Sequence, residues 1–354
     1  MRHRSLAITY LIEEAEQPWG GVQTIFREAD ALLDRGHRVC IVCKTGEPSW
    51  YRPRVEVRAA EFTPDTIPRS DLVVGTWCPT VPFAWRAQRG QPVHYCQGYE
   101  GDDPRHRAAR EQIENIYRLP GIRHLAISPF LAQRLRDLFG IEPLVVPYGI
   151  RSDLFTATPA PRPQARRLRV GLVGPWSIAW KDIATGVRGL RLAQDRGIPI
   201  ELVRVSAQPI TDDERVAWGN LAVEEHVGVR LDDMPEIYRS LDLFLGTSSG
   251  GAEGFFLPAV EAMACGAPCI LSDIACFRDY AQIQDYARFF TPGSSKSLAS
   301  AIFELAHLPA IRSKLRETGL RTAARHSFAA HVEGIERAFH ALVPARHGSR
   351  RCAY

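Results

Sequence analysis

Residues 241–273, LDLFLGTSSGGAEGFFLPAVEAMACGAPCILSD, compress a strand, a glycine-rich loop, a helix and a second strand into one short stretch. LDLFLGTSS is an apolar run ending in small polar residues, the pattern of a buried strand feeding a loop. Pro258 fits a first helical turn, where its missing N–H is not needed, and Gly266 fits the left-handed position just past a helix end. CILSD then reads as the next strand. Two strands joined through a helix must lie parallel in one sheet, with the loop at its C-terminal edge.

Two carboxylates sit in this unit eight positions apart, Glu253 in the loop and Glu261 on the helix. Free N–H groups at a helix N-terminus attract anions, phosphate above all. A carboxylate accepts hydrogen bonds and donates none, so it suits hydroxyl-rich neighbours such as a sugar or a ribose. Gly250, Gly251 and Gly254 let backbone approach a bulky ligand. Together these describe a nucleotide-sugar pocket.

The stretch EGF, LP and EAMACGAP resembles the signature of retaining glycosyltransferases of family 4 (glycosyl transferases group 1). The resemblance is strongest over 167–293, moderate over 5–45 and 122–155, and weak over 46–120. It implies the α/β GT-B architecture, two Rossmann-like parallel-sheet domains facing a central cleft. The expected divisions are an acceptor-side domain over 1–152, a nucleotide-sugar domain over 153–326, and a C-terminal helix over 327–354 that packs back on the first. A hexose-like sugar would pass from a nucleotide donor to an acceptor hydroxyl with retained configuration and without metal. Glu261 would hold the ribose and Glu253 the moving sugar. Lys181 would neutralise the diphosphate, and the N–H groups of Gly254, Phe255, Phe256 and Leu257 would face the donor. Backbone at Val229 and Arg230 would lie near the base, and Gly20 and Gly21 would face the diphosphate across the cleft.

Two positions depart from the family pattern. Pro175 and Trp176 stand where a first basic residue is expected, which leaves Arg204 or Arg230 as substitutes. Gln97 stands where many members carry a reactive-site His, so it would orient a sugar hydroxyl without changing charge. His94, three residues earlier, reads as a core histidine. Tyr99, Glu100, Asp102 and Asp103 are expected at the cleft edge, where Tyr99 would help orient the acceptor. Asp232 and Asp233 read as helix-start residues and not as metal ligands.

The rest of the chain agrees with this class. Strand-like runs alternate with helical patterns throughout, from LAITYLI (6–12) and the helix beginning QTIFREAD to ARFFTPG and SKSLASAIFELA. HVGVRL reads as a strand of the second domain, and the Pro- and Arg-rich residues 152–168 read as the linker. At 45% hydrophobic and 24% charged the chain has no apolar run near a membrane span's length, and MRHRSLAITYLI reads as a first strand and not a signal peptide. A net charge of +4 argues against nucleic acid, while leaving room for an anionic donor or peripheral contact with an acidic membrane. The eight cysteines show no disulfide or zinc pattern; Cys40 and Cys43, spaced CxxC, sit inside a strand-like run. A cytoplasmic enzyme at the inner membrane face, building cell-surface glycan, is the expectation. Acceptors in that setting are sugars, lipid-linked glycans, proteins or small molecules. A same-fold epimerase or phosphorylase, or an inactive partner subunit, are the rival readings.

Overall fold

The computed structural model describes residues 4–158 and 167–343. Residues 159–166 of the Pro- and Arg-rich segment, the first three positions and the last eleven positions of the chain lie outside the described residues.

The first half alternates strand and helix: β1 (Ala7–Ile12), α1 (Gly20–Asp34), β2 (Arg38–Cys43), β3 (Glu56–Ala59), β4 (Leu72–Gly75), α2 (Val81–Ala87), β5 (Gln91–Cys96), α3 (Arg110–Tyr117), β6 (Arg123–Ala126), α4 (Pro129–Phe139) and β7 (Leu144–Val145). The second half follows suit: β8 (Leu168–Val173), α5 (Ile183–Asp195), β9 (Ile200–Ser206), α6 (Asp212–Trp218), β10 (Ala222–Val227), α7 (Met234–Arg239), β11 (Leu243–Gly246), α8 (Leu257–Ala264), β12 (Cys269–Ser272), α9 (Ala275–Arg278), β13 (Ala287–Phe290), α10 (Ser295–His307), α11 (Pro309–Ala323) and α12 (Phe328–Leu342).

All strand pairs are parallel. The sheets run β3-β2-β1-β4-β5-β6-β7 and β10-β9-β8-β11-β12-β13. Central strands such as β1, β4 and β11 are wholly buried, as a parallel sheet covered on both faces requires. Strand order reverses at β1/β4 and at β8/β11, and there successive loops part to open a crevice at the C-terminal edge. The two crevices face one another. This is the GT-B fold.

Helix α12 returns to the first sheet. Val332, Ile335 and Phe339 join its core, with the Phe339 ring 6.2 Å from that of Tyr10. The chain crosses between sheets at one place, where Ile150 N–H donates to the His326 carbonyl at 2.8 Å and Phe328 N–H to the Ile150 carbonyl at 2.7 Å. Buried polar contacts fix the helix further. Glu336 accepts from Arg35 Nε at 2.7 Å and lies 3.1 Å from His37 Nε2. His37 Nδ1 accepts from Leu6 N–H at 3.1 Å, so its proton sits on Nε2 and faces the carboxylate. His340 lies close by, but that proton and the Arg35 cation make the group an ion-pair cluster and not a metal cage.

Several elements differ from the sequence reading. Helix α1 begins at Gly20, so the Gly pair forms its first turn instead of a loop before it. The strand read as HVGVRL lies four residues earlier, because Gly228 takes φ +64 and breaks extension. The exposed edge strand β3 and the weakly amphipathic α11 carry too little periodic signal to be expected. The seven described cysteines, Cys40 and Cys43 among them, are buried free thiols.

Candidate active site in the cleft

Lys181 is built into the second domain by its neighbours. It follows β8 on a short 3₁₀ turn, and the next residue, Asp182, is held at φ +49 while its side chain caps α5 at Thr185 N–H, 3.3 Å away. A left-handed non-glycine residue costs energy and marks a position fixed by its surroundings. The Thr247 hydroxyl donates to the Lys181 carbonyl at 2.8 Å, and Ser249 N–H donates to Trp180 O at 2.8 Å, tying this turn to the loop after β11.

So held, Lys181 Nζ lies 2.6 Å from Glu253 Oε2, over the faces of Trp180 and Phe256 at 4.4 and 4.7 Å. Glu253 is only 4% exposed, and the same oxygen accepts from the Ser248 hydroxyl at 2.7 Å. Ser248 is anchored in turn by the Ser272 hydroxyl on its carbonyl. A buried carboxylate needs such a partner set, since leaving one unpaired costs several kcal/mol.

Glu261 lies one turn into α8. It accepts from the Tyr238 hydroxyl at 2.9 Å, and burial pushes its carboxyl up to about 7, against the pull of that bond and of Arg27 across the cleft. Phe256 precedes α8 without a side-chain cap, so backbone N–H groups present themselves there. The Phe256 N–H itself turns toward the Cys276 thiol. The Phe255 ring packs against Tyr148 of the first domain at 6.2 Å and against His326 at the crossing point at 5.4 Å.

The first domain meets this site edge on. A Cβ placed on Gly20 would lie 3.5 Å from the Leu257 side chain, so the N-termini of α1 and α8 oppose each other. A Cβ on Gly254 would lie 2.0 Å from the Gln97 carbonyl and one on Gly21 would lie 1.8 Å from Gln97 Oε1; only glycine fits either place. Gln97 donates from Nε2 to Thr76 O at 2.7 Å and accepts the Tyr148 hydroxyl at 2.6 Å. Asp279, beyond α9, accepts from Phe130 N–H at the start of α4 at 2.6 Å, a hydrogen bond between the two domains.

Some expected roles do not survive. Tyr99 is 0% exposed, its ring packed on Tyr117 and Phe139, because the loop after β5 turns that side chain inward; it does not reach an acceptor. Glu100 is bound by Cys78 N–H and the Tyr117 hydroxyl, and Asp103 by Arg105 at 2.6 Å. Asp102 does lie at the cleft edge as expected: Arg134 holds it at 2.6 Å, and a Cβ on Gly251 would come within 2.8 Å of its Oδ2. Arg204 cannot replace the missing cation: it is fully buried, 2.5 Å from Glu214. Pro175 is buried and Trp176 donates its indole N–H to Asp213 at 2.8 Å. Arg230 is exposed at the turn beyond β10, next to the partly buried Val229, and Asp232 and Asp233 lie exposed just before α7. His94 is a core residue, as its pattern suggested, and burial lowers its pKa well below the usual imidazole value. Sequence reasoning missed Arg27 of α1, whose only signal was its position two turns along the same helical face as Gly20.

The parallel order of the two sheets and the signature loop between them define a GT-B protein, and residues 167–307 match the family described as Glycosyl transferases group 1. Over 223 residues the chain is 23% identical to a phosphatidyl-myo-inositol mannosyltransferase of Mycobacterium leprae, an alignment spanning 62% of this chain and 59% of that protein. Among solved structures it superposes on sucrose-phosphate synthase from Thermosynechococcus elongatus (TM-score 0.76, 17% identity, 96% of this chain and 99% of that one). It also superposes on Anabaena HepE in complex with UDP-glucose (TM-score 0.78, 16% identity, 95% and 100%). Among the described residues no helix is long and apolar enough to cross a membrane.

Proposed function

We propose that this protein is a retaining hexosyltransferase that moves a sugar from a nucleotide donor to an acceptor hydroxyl, without metal. The observation that carries the reading is the opposition of two helix N-termini beside the Lys181–Glu253 pair, with Glu261 one turn farther along α8. Two helix ends and one ammonium suit a diphosphate. Glu261, with one oxygen held by Tyr238, keeps the other for ribose hydroxyls, and Glu253 offers its second oxygen to hydroxyls of the transferred sugar. The sugar–phosphate bond breaks as the acceptor oxygen attacks the same face, and the acceptor's proton passes to the departing phosphate oxygen. Lys181 and the helix ends stabilise the charge on that leaving group. The UDP-glucose bound to HepE and the mannosyl transfer named for the mycobacterial relative support a hexose donor. Synthesis of a cell-surface glycan at the inner membrane face is the setting proposed with it; the lipid in the mycobacterial relative's name is the support for that setting.

A thermal-shift screen against UDP, GDP, dTDP and ADP, with their sugars, tests the reading. One series should stabilise the protein clearly. Glu253→Gln should then cut turnover at least a hundredfold while nucleoside diphosphate affinity changes only a fewfold. Stabilisation by none of the four would refute a nucleotide-sugar site.

A further inference from the structure

Arg27 lies two turns along α1 from Gly20, on the helix face that meets Leu257 of the second domain. Helical side chains lean toward the helix N-terminus, and its guanidinium donates to the Gln23 carbonyl and, at 2.9 Å, to Gln23 Oε1, one turn back toward the Gly pair. It lies 5.3 Å from the centre of the Tyr51 ring, which steadies it from behind. Across the cleft it stands within electrostatic reach of Glu261, and Arg151 and Asp232 share that space, themselves 3.7 Å apart. Both of its described hydrogen bonds use Nη1, so Nε and Nη2 have no protein acceptor among the described residues.

Two landmarks run along this strip: the opposed N-termini at Gly20 and Leu257, and, farther along the same faces of the two helices, Arg27 two turns from Gly20 and Glu261 one turn from Leu257. A nucleotide with its diphosphate at the first and its ribose at the second puts its α-phosphate between them. We propose that Arg27 is a donor-binding residue contributed by the first domain, and that its guanidinium binds the phosphate next to the ribose. This supplies from the opposite wall a cation that the loop after β8 lacks at Pro175. A guanidinium's paired N–H groups match phosphate oxygens in a way an ammonium does not. Because the contact spans the cleft, donor binding would also draw the two domains together.

The proposal rests on the nucleotide-sugar reading above, and one titration series separates the two. Wild-type protein, Arg27→Gln and Arg27→Lys are titrated calorimetrically with the diphosphate selected from UDP, GDP, dTDP and ADP, with its monophosphate, and with its nucleoside. Arg27→Gln should weaken diphosphate and monophosphate binding at least tenfold and leave the nucleoside within twofold; Arg27→Lys should fall between. The unfolding midpoint of each variant shows that it folds. Phosphate-bearing ligands that bind Arg27→Gln as tightly as wild type, or a nucleoside weakened equally, would overturn the assignment. Failure of wild type to bind any of the four diphosphates would instead sink the nucleotide-sugar reading itself.

Discussion

The Tyr148 hydroxyl donates to Gln97 Oε1 at 2.6 Å, and this bond decides which end of the amide turns toward the Thr76 carbonyl. Gln97 is thereby pinned at the domain interface, with Gly21 in contact on one side and Gly254 on the other. Ordinarily a flexible side chain yields to a new methyl group; here it cannot. Gly21→Ala should therefore lower stability by about 1–3 kcal/mol and reduce turnover. Adding Gln97→Ala should restore part of both losses, and a double-mutant cycle on unfolding midpoints and rates measures the coupling.

Glu261 carries a second prediction. Its carboxyl is pushed up to about 7 from 4.5 by burial, so the unfolded chain ionises it first as pH rises. Folding is therefore weakened across roughly pH 4.5 to 7, by about 3 kcal/mol in all, and no further above that range. Glu261→Gln should gain stability relative to wild type between pH 5 and pH 8, seen in urea unfolding at the two values. Ribose hydroxyls need the ionised acceptor, so diphosphate binding near pH 7 should release protons from wild type. Calorimetry in buffers of different ionisation enthalpy should show that release diminished in Glu261→Gln.

The Glu28 carboxylate lies buried on the inner face of α1, where it accepts from the Tyr10 hydroxyl and from the Tyr95 hydroxyl at 3.0 Å, and lies 2.8 Å from His331 Nε2 of α12. His331 Nδ1 faces the Pro147 carbonyl at 2.9 Å. Removing the imidazole leaves the buried Glu28 carboxyl short of a hydrogen-bond partner and opens a cavity beside it, so His331→Ala should cost about 2–4 kcal/mol in denaturant unfolding. The pair Glu28→Gln/His331→Gln should cost less than the sum of its single changes.

Tyr99 offers the opposite case. Its hydroxyl is buried with no hydrogen-bond partner among the described residues. Tyr99→Phe removes an unsatisfied polar atom and keeps the ring, so stability should hold or rise by up to about 1 kcal/mol. Steady-state kinetics should show acceptor KM and kcat unchanged; a tenfold change in either would return Tyr99 to the site.

The signature unit was legible because each of its cues is local: Pro258 in a first turn, Gly266 at φ +83 past the helix end, and two carboxylates on opposite sides of a helix start. Long-range geometry was not. Nothing in the order of residues 97–103 reveals that Gln97 faces the other domain while Tyr99 turns into an aromatic core, because a loop has no period to read. Arg204 likewise sits in a plain strand, and only its pairing with Glu214 shows it to be interior. Arg27 was obscured for the reverse reason: on an amphipathic helix it looks like any solvated cation, and its importance comes from a partner more than two hundred residues away in sequence.

The path of α12 has a consequence for biosynthesis. Val332, Ile335 and Phe339 complete the core built around β1, so a domain begun at β1 is finished only once α12 has been made. Until the final helix emerges, the face under Tyr10 and the Glu28 carboxylate wait without their cover. A truncation that removes only α12 would therefore injure the domain that β1 begins, and leave the second sheet's own core intact.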